Sequence, residues 1–171
     1  IEVYYREQLV HVPPKAATLP GRMHDFCEFF NNEDQENWIH PVIKGIMLHF
    51  RLAYDHPFVD GNGRTARAVM YWYVLSKGYY LFEFLPISRY YVRAPSKYVK
   101  AYLRTESDDG DLTYFFHYNL KSIQRAIEEL DAYLKIKKKE LALSTDLLRK
   151  YRGLNSRQKA LIYYALRNPK T

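Results

Sequence analysis

Most of the residues that could do chemistry lie in one twelve-residue segment, His56 to Arg67. It reads His-Pro-Phe-Val-Asp-Gly-Asn-Gly-Arg-Thr-Ala-Arg. A glycine-rich loop that enters a helix exposes backbone N–H groups without partners, and Gly61 and Gly63 let a bulky anion approach the main chain closely. The segment therefore predicts a phosphate cradle at the start of a helix.

The charged residues of this segment fit a bound polyphosphate. Arg64 and Arg67 fall in the first helical turn, where the positive pole of the helix disfavours cations unless an anion is bound. Asp60 would repel phosphate oxygens, but Mg²⁺ shared between its carboxylate and the phosphates removes the repulsion. The unperturbed pKa of a histidine lies near neutrality, which suits His56 as a general base worth ~10² to 10⁴ in rate.

The elements that must position this segment are predicted to be helical, because helical periodicity dominates and no long alternating strand pattern competes with it. The predicted helices begin near Pro20, span about 41–54, run from Gly63 to a cap at Lys77-Gly78, and cover 87–92, 96–105 and about 116–134. The apolar faces predicted to be buried include Met23, Phe26, Cys27 and Phe30 in the first helix, and Phe116, Leu120, Ile123, Ile127, Leu130 and Leu134 in the last. The interior of the first domain should thus form around helices on both sides of the segment.

A domain boundary is predicted near Gly153, which divides the chain into residues 1–152 and 153–171. Arg152-Gly153 interrupts the helical pattern, and Asn155 with Gln158 three residues later forms a capping-box pattern for a new helix.

Composition indicates a folded chain without a membrane span. Of the 171 residues, 47% are hydrophobic and 26% are charged, and no apolar run approaches the ~18 residues that a membrane span needs. Cys27 is the only cysteine, so no internal disulfide can form, and we expect a reducing, cytoplasmic location.

The net charge of +7 is concentrated in the C-terminal part. From Lys135 onward there are 11 basic and 2 acidic residues, whereas the preceding residues carry a net charge of −2. This basic tail predicts either contact with nucleic acid or an acidic partner, or simply a solvated lysine face.

The segment 56–67 matches without a departure the signature of the Fic family, His-x-Phe-x-Asp/Glu-Gly-Asn-Gly-Arg-x-x-Arg. A weaker likeness covers most of residues 10–134. The resemblance implies a Fic-type helical bundle with a small β-hairpin flap near the N-terminus, at about residues 9–14. It also implies a protein adenylyltransferase, which transfers AMP from ATP to a Ser, Thr or Tyr hydroxyl of a target protein or of the chain itself.

The resemblance implies a role for each residue of the signature. His56 would deprotonate the target hydroxyl, Asp60 would hold Mg²⁺ on the phosphates, and Phe58 would anchor the loop in the core. The residues that would bind the phosphates of ATP are Gly61, Asn62, Gly63, Arg64 and Arg67.

Two further contacts are implied outside the signature. Val10, His11 and Val12 belong to the flap, which would hold an extended target segment by main-chain pairing; an ordinary surface hairpin or loop is the alternative. Tyr98 and Tyr102 lie where the family often builds the nucleotide-base pocket, with simple core packing as the alternative.

Regulation in the family often relies on a helix bearing Ser/Thr-x-x-x-Glu-Gly/Asn, whose Glu pairs with the second signature arginine, here Arg67. The nearest candidate is Glu36-Asn37, but Asn32 stands where Ser or Thr is needed. We therefore expect an inhibitory segment that precedes Ile1 or belongs to a partner such as an antitoxin. The sequence is also compatible with a homodimer.

Other functions remain open at this stage. Residues 154–166 resemble the first helix of the winged-helix domain that often follows a Fic core, and a packing helix that extends the C-terminus is the alternative. The same frame could transfer another phosphate-containing group or remove AMP, and a nucleotide-sensing regulator could bind DNA through the basic tail.

Overall fold

The computed structural model describes residues 3–5, 7–32, 38–108, 110–151 and 153–167. The chain is mostly helical over these residues, which confirms the predicted all-α class. The strands are β1 (Val3–Tyr5) and β2 (Gln8–His11), and the helices are α1 (Leu19–Asn31), α2 (Pro41–Asp55), α3 (Asn62–Ser76), α4 (Ile87–Arg93), α5 (Pro95–Ser107), α6 (Thr113–Lys150) and α7 (Ser156–Arg167). Short 3₁₀ helices cover Ala16–Thr18 and Tyr80–Phe84.

Local sequence signals explain where several helices begin and end. Prolines occupy the first positions of α1, α2 and α5, where the missing N–H has no partner to lose. The His40 Nδ1 accepts a hydrogen bond from the Val42 N–H at the start of α2. Gly78 follows α3 with φ +86°, as the predicted cap requires.

The two strands form an antiparallel hairpin in which Tyr4 pairs with Leu9 and Tyr5 with Gln8. The register is irregular beside the Val3–His11 pair. The residues predicted as a flap, 9–14, overlap this hairpin only at 9–11, and the stretch that contains Pro13 and Pro14 lies outside the strands. Prolines cannot donate to a strand ladder, so the strand ends before them.

Close packing of α2 against α3 holds the two helices on either side of the signature loop. A methyl group added at Gly45 would lie 2.7 Å from the Val74 Cγ2, closer than carbon atoms can approach without displacement. Ile46, Met70 and Val74 are fully buried beside this crossing. The absence of a side chain at residue 45 therefore lets the loop's two supporting helices approach each other.

Two predictions of buried faces are wrong. Cys27 is exposed, and Phe26 is the one residue of the predicted α1 face that is buried, at 7% exposed. On α6, Leu120, Ile127 and Leu134 are 41%, 40% and 46% exposed. The buried residues of α6 lie mostly on the adjacent stripe: Phe115, Asn119, Ser122, Ile123 and Ala126.

The α6 error arises because polar residues are buried with their hydrogen bonds satisfied. The Asn119 Oδ1 accepts from the Tyr91 hydroxyl at 2.6 Å, and its Nδ2 donates to the Phe115 carbonyl at 2.8 Å. Hydrophobicity cannot identify such a face, because a bonded amide loses little on leaving water.

The chain divides into two compact units, Ile1–Ala126 and Ile127–Thr171. In the second unit, Asn155 and Gln158 exchange side-chain to backbone hydrogen bonds of 2.9 Å, which confirms the predicted capping box of α7. The domain boundary at 152/153 stays a prediction. The inhibitory candidate Glu36-Asn37 lies outside the described residues. No helix in the described part of the chain is long and apolar enough to cross a membrane.

Replacing Gly45 by Ala tests the α2–α3 crossing. Overpacking a core typically costs about 1–3 kcal/mol, which outweighs the gain of ~1 kcal/mol from better helix propensity. We expect the free energy of unfolding, measured by urea denaturation, to fall. Gly21→Ala is the matched control, because open space surrounds that position, and we expect it to stabilise the chain by roughly 0.5–1 kcal/mol. A stabilised Gly45→Ala would contradict the crossing.

Candidate active site

His56 ends α2 in a left-handed backbone conformation, with φ 47° and ψ 51°. Its N–H still donates to the Leu52 carbonyl at 3.1 Å, so the turn follows directly on the helix. A non-glycine residue in this region is uncommon and stores roughly 1–3 kcal/mol of strain, which clusters at functional sites. The turn sends the chain out of α2 and into the loop at the residue predicted to be the base.

The hydrogen bond of the His56 ring favours one tautomer. Its Nδ1 lies 3.3 Å from the Ala53 carbonyl oxygen, and a carbonyl only accepts, so Nδ1 carries the proton of the neutral ring. Burial lowers the pKa of His56, the Ala53 hydrogen bond opposes this, and the charge of His11 lowers it further. The neutral ring therefore leaves Nε2 free to accept a proton.

Asn62 fixes the path of the loop between His56 and α3. Its side chain is buried and accepts from the Phe58 N–H at 2.8 Å, while its Nδ2 donates to the Phe58 carbonyl at 2.6 Å. The predicted burial of Phe58 is wrong, because this residue is 47% exposed. The loop is anchored through the backbone of Phe58 instead.

The start of α3 has the features predicted for an anion cradle. Gly61 precedes the helix with φ 86°, and no side chain caps the first N–H groups. Gly63 lies in the first turn, where an added Cβ would approach the Arg67 Nη1 to 3.3 Å. The first turn therefore presents N–H groups and the positive pole of the helix.

Asp60 and Arg64 form an ion pair at the mouth of this cradle. The Arg64 Nη2 donates to the Asp60 Oδ2 at 2.9 Å, and the Gly61 N–H donates to the Oδ1 at 2.5 Å. Both side chains are largely exposed, so the pair contributes only ~0–1 kcal/mol and can exchange for other partners. An exposed carboxylate beside an anion cradle fits Mg²⁺, which one or two carboxylates and substrate phosphates usually hold.

Arg67 lies above the Tyr91 ring, with its guanidinium carbon 5.9 Å from the ring centroid. Its positive charge also acts on the buried His49 and Tyr98. In the part of the chain that the structure describes, no carboxylate forms an ion pair with Arg67. An aromatic ring thus lies against the guanidinium without neutralising it.

A cavity of about 200 Å³ brings the predicted base pocket together with the signature. Its lining includes His56, Gly63, Tyr98 and Tyr102 as well as His11 of β2. Burial raises the pKa of Tyr98 to about 12 and that of Tyr102 still further, so both rings stay neutral. A larger cavity of about 570 Å³ is lined by residues of α1, α2 and α5 and contains no signature residue, so the smaller one is the candidate site.

The side chains in and next to the hairpin differ in their exposure. Leu9 and Val12 are exposed, whereas the His11 side chain is buried, bonded to the Tyr54 carbonyl and paired with Glu106. The side chain of Val10 lies outside the described residues. Target binding by Val10, His11 and Val12 stays a prediction, and for His11 only the backbone is available to a target.

Sequence reasoning missed a buried ion pair beside the base. Asp55 is fully buried, with its Oδ1 2.5 Å from the Arg22 Nε and its Oδ2 4.0 Å from the Arg51 Nε. A carboxylate at the C-terminus of a helix meets the negative pole, so its position alone could have indicated cationic partners. Arg22 on α1 thereby ties the end of α2 in place one residue before His56.

Comparisons with known proteins agree with this geometry. Residues 2–74 match the sequence model of the Fic/DOC family. The chain is 32% identical over 124 residues to "Protein adenylyltransferase Fic" of Nematostella vectensis, an overlap of 72% of this chain and 26% of the relative. It is 42% identical over 69 residues to the protein of the same name from Drosophila grimshawi, covering 40% of this chain and 14% of the relative.

A solved structure extends the likeness along the chain. The crystal structure of a Fic family protein from Desulfovibrio desulfuricans G20 aligns with 98% of this chain and 51% of its own, with a TM-score of 0.66 and 25% identity. The chain thus spans about a quarter or less of the length of these curated relatives and about half of the solved one.

Replacing Asn62 by Ala removes both hydrogen bonds to Phe58 and leaves two backbone groups without partners. We expect the free energy of unfolding to fall by about 2 kcal/mol, the usual cost of unsatisfied buried groups. Asn32→Ala is the control, since Asn32 is exposed and its side chain makes no described hydrogen bond. Equal denaturation midpoints for the two variants would contradict the proposed anchoring of the loop.

Proposed function

Because this chain belongs to the Fic family, we propose that it is a protein adenylyltransferase that transfers AMP from ATP to a hydroxyl side chain of a target protein. One observation carries the proposal. The cavity that contains His56 and Gly63 opens at the start of α3, where N–H groups without a side-chain cap and two arginines can bind a triphosphate. A base, an anion site and a ring-sized pocket therefore share one location.

His56 starts the transfer in this mechanism. Its Nε2 accepts the proton of the target's Ser, Thr or Tyr hydroxyl, while Nδ1 keeps its proton on the Ala53 carbonyl. The hydroxyl oxygen then forms a bond to the α-phosphorus of ATP. The bond from that phosphorus to the bridging oxygen of the β-phosphate breaks, and pyrophosphate leaves with the electron pair.

The start of α3 supplies the electrostatic stabilisation. The N–H groups of Asn62 and Gly63 and the guanidinium groups of Arg64 and Arg67 bind the phosphate oxygens, on which negative charge is concentrated during transfer. Mg²⁺, when held there, would supply positive charge that neutralises part of the phosphate charge. Asp60 would hold the metal after releasing Arg64, which is then free for the phosphates.

The size of the cavity supports binding of the base alone. Its volume of about 200 Å³ is below the ~300–1,000 Å³ of pockets that enclose drug-sized ligands. The rings of Tyr98 and Tyr102, with Val99 and Leu103, give it apolar walls. We therefore propose that the flat base enters the cavity and that the phosphates lie along the exposed start of α3.

The hairpin is the proposed binding site for the target. Its sheet has two strands, so within the described residues the outer edge of β2 has no strand partner. An extended target segment could pair with such an edge, and the position of His11 in the cavity wall would bring the target hydroxyl toward His56.

The transfer itself is tested by incubating the chain with Mg²⁺ and each nucleoside triphosphate in turn. We expect ATP to give an increase in intact mass equal to AMP less water, together with released pyrophosphate. His56→Ala should lower the rate by ~10² to 10⁴, and His117→Ala, on the exposed surface of α6, should not.

Three outcomes would count against the proposal. Labelling that persists in His56→Ala would exclude this residue as the base. A different nucleotide as the preferred donor would replace AMP transfer by another phosphate-group transfer. Neither label nor pyrophosphate with any nucleotide would contradict the activity.

The role of Asp60 is tested by calorimetry of ATP binding with Mg²⁺ and with EDTA. Mg²⁺ should tighten binding to the native chain, whereas Asp60→Asn should bind ATP equally in both conditions, because an amide holds Mg²⁺ poorly and does not repel phosphate. Asp131→Asn, a change in an exposed ion pair of α6, should keep the native dependence on Mg²⁺. A Mg²⁺ effect that survives in Asp60→Asn would assign the metal to other groups.

A further inference from the structure

The two hydrogen-bonding partners of His11 determine the charge of its ring. Nε2 lies 2.7 Å from the Tyr54 carbonyl oxygen, which only accepts, so Nε2 carries a proton. Nδ1 contacts the Glu106 carboxylate, and without a proton between them two lone pairs would face each other. An ionised carboxylate only accepts hydrogen bonds, so Nδ1 carries that proton. His11 is therefore an imidazolium.

This imidazolium ties three elements together. His11 belongs to β2, Tyr54 to the last turn of α2, and Glu106 to α5. The His11 side chain is only 4% exposed, and the Glu106 side chain is 21% exposed. The His11 ring is buried and has a partner at each of its two nitrogens, so it is an internal contact and not a chance contact on the surface.

The position of His11 places it at the negative pole of α2. The Tyr54 carbonyl is one of the last four of the helix, which have no partner within it and carry the negative end of the dipole. His56 terminates the same helix, so the same pole would favour a proton on the His56 ring. The two rings lie 6.4 Å apart, centroid to centroid.

We propose that His11 is a positioning residue for the proposed transfer: its imidazolium, held between the Tyr54 carbonyl and Glu106, neutralises the negative pole of α2 and keeps the neighbouring His56 ring unprotonated. This inference rests on the proposed function only in taking His56 as the general base of the transfer. The charge effect itself is a property of the folded chain. It also agrees with the direction in which His11 moves the pKa of His56.

The other titratable groups near His11 and His56 do not cancel the effect of the His11 charge on His56. Burial, with the charge of Glu106, raises the pKa of Tyr102, so its ring stays neutral. Asp55 is already paired with Arg22. In the described part of the chain, the titratable groups beside the two histidines are Tyr54 of α2 and Tyr98, Tyr102 and Glu106 of α5, and Asp55 directly precedes His56 in the chain.

Two substitutions remove the charge by different routes. His11→Gln deletes the imidazolium. Glu106→Gln keeps His11 and its hydrogen bond to Tyr54. The glutamine amide can donate to an unprotonated Nδ1, so the contact that joins β2, α2 and α5 is retained while the charge of the His11 ring is lost. Glu106 is not among the groups that act on His56 directly. The exposed residues His24 and Glu83 provide matched controls, His24→Gln and Glu83→Gln.

The test is an NMR titration of the ¹⁵N-labelled His56 ring in the intact chain, with the signal assigned by its loss in His56→Ala. We expect the pKa of His56 to rise in both His11→Gln and Glu106→Gln and to stay at the native value in both controls. The acid limb of the AMP-transfer rate against pH should move upward in parallel. A merely structural role of His11 would lower the rate without moving either titration.

The outcomes separate this inference from the proposed function. If the titration of His56 is unchanged in Glu106→Gln, which preserves the tie, the assignment to His11 is overturned whatever the transfer activity. If the pKa rises but no nucleotide is transferred, the charge effect is supported and the adenylyltransferase proposal fails.

Discussion

The site depends on two helix ends of opposite polarity that are joined by a short loop. α2 brings its negative pole to His56, and α3 starts with its positive pole at Gly61. The close crossing at Gly45 fixes both helices, so the loop has few paths available. A proton acceptor and an anion site are thereby held side by side by backbone geometry, before any substrate contributes.

Two carboxylates near the loop differ in how firmly they are held. Asp55 is fully buried and its partner Arg22 is 37% exposed, so loss of the arginine would leave a buried carboxylate without its nearest charge partner. Asp60 is exposed with Arg64, in a pair worth ~0–1 kcal/mol. The first pair is therefore a permanent part of the frame that holds His56, whereas the second can open whenever a metal and phosphates offer both partners stronger contacts.

Features set by neighbouring residues could be predicted from the sequence. Proline positions and glycine caps gave the start of α1 and both limits of α2 and α3 to within a residue or two, and the Asn155–Gln158 capping box is present as predicted. The signature was readable because its chemistry is encoded in consecutive residues. Tyr98 and Tyr102 line one cavity with His56, and only the family resemblance indicated them as residues of a base pocket, since no local pattern joins α5 to the loop.

Features set by distant partners could not be predicted. Asn119 is buried because Tyr91, 28 residues earlier in the chain, donates to it, so the apolar periodicity of α6 pointed to the wrong face. His11 was interpreted as a flap residue, yet both of its ring nitrogens have partners inside the protein. Buried polar groups require specific partners, and those partners become visible only when the chain is folded. The environment that sets the basicity of His56 likewise depends on distant partners. The residue type could be read from the signature, whereas its charge state depends on a strand that begins about fifty residues earlier in the chain.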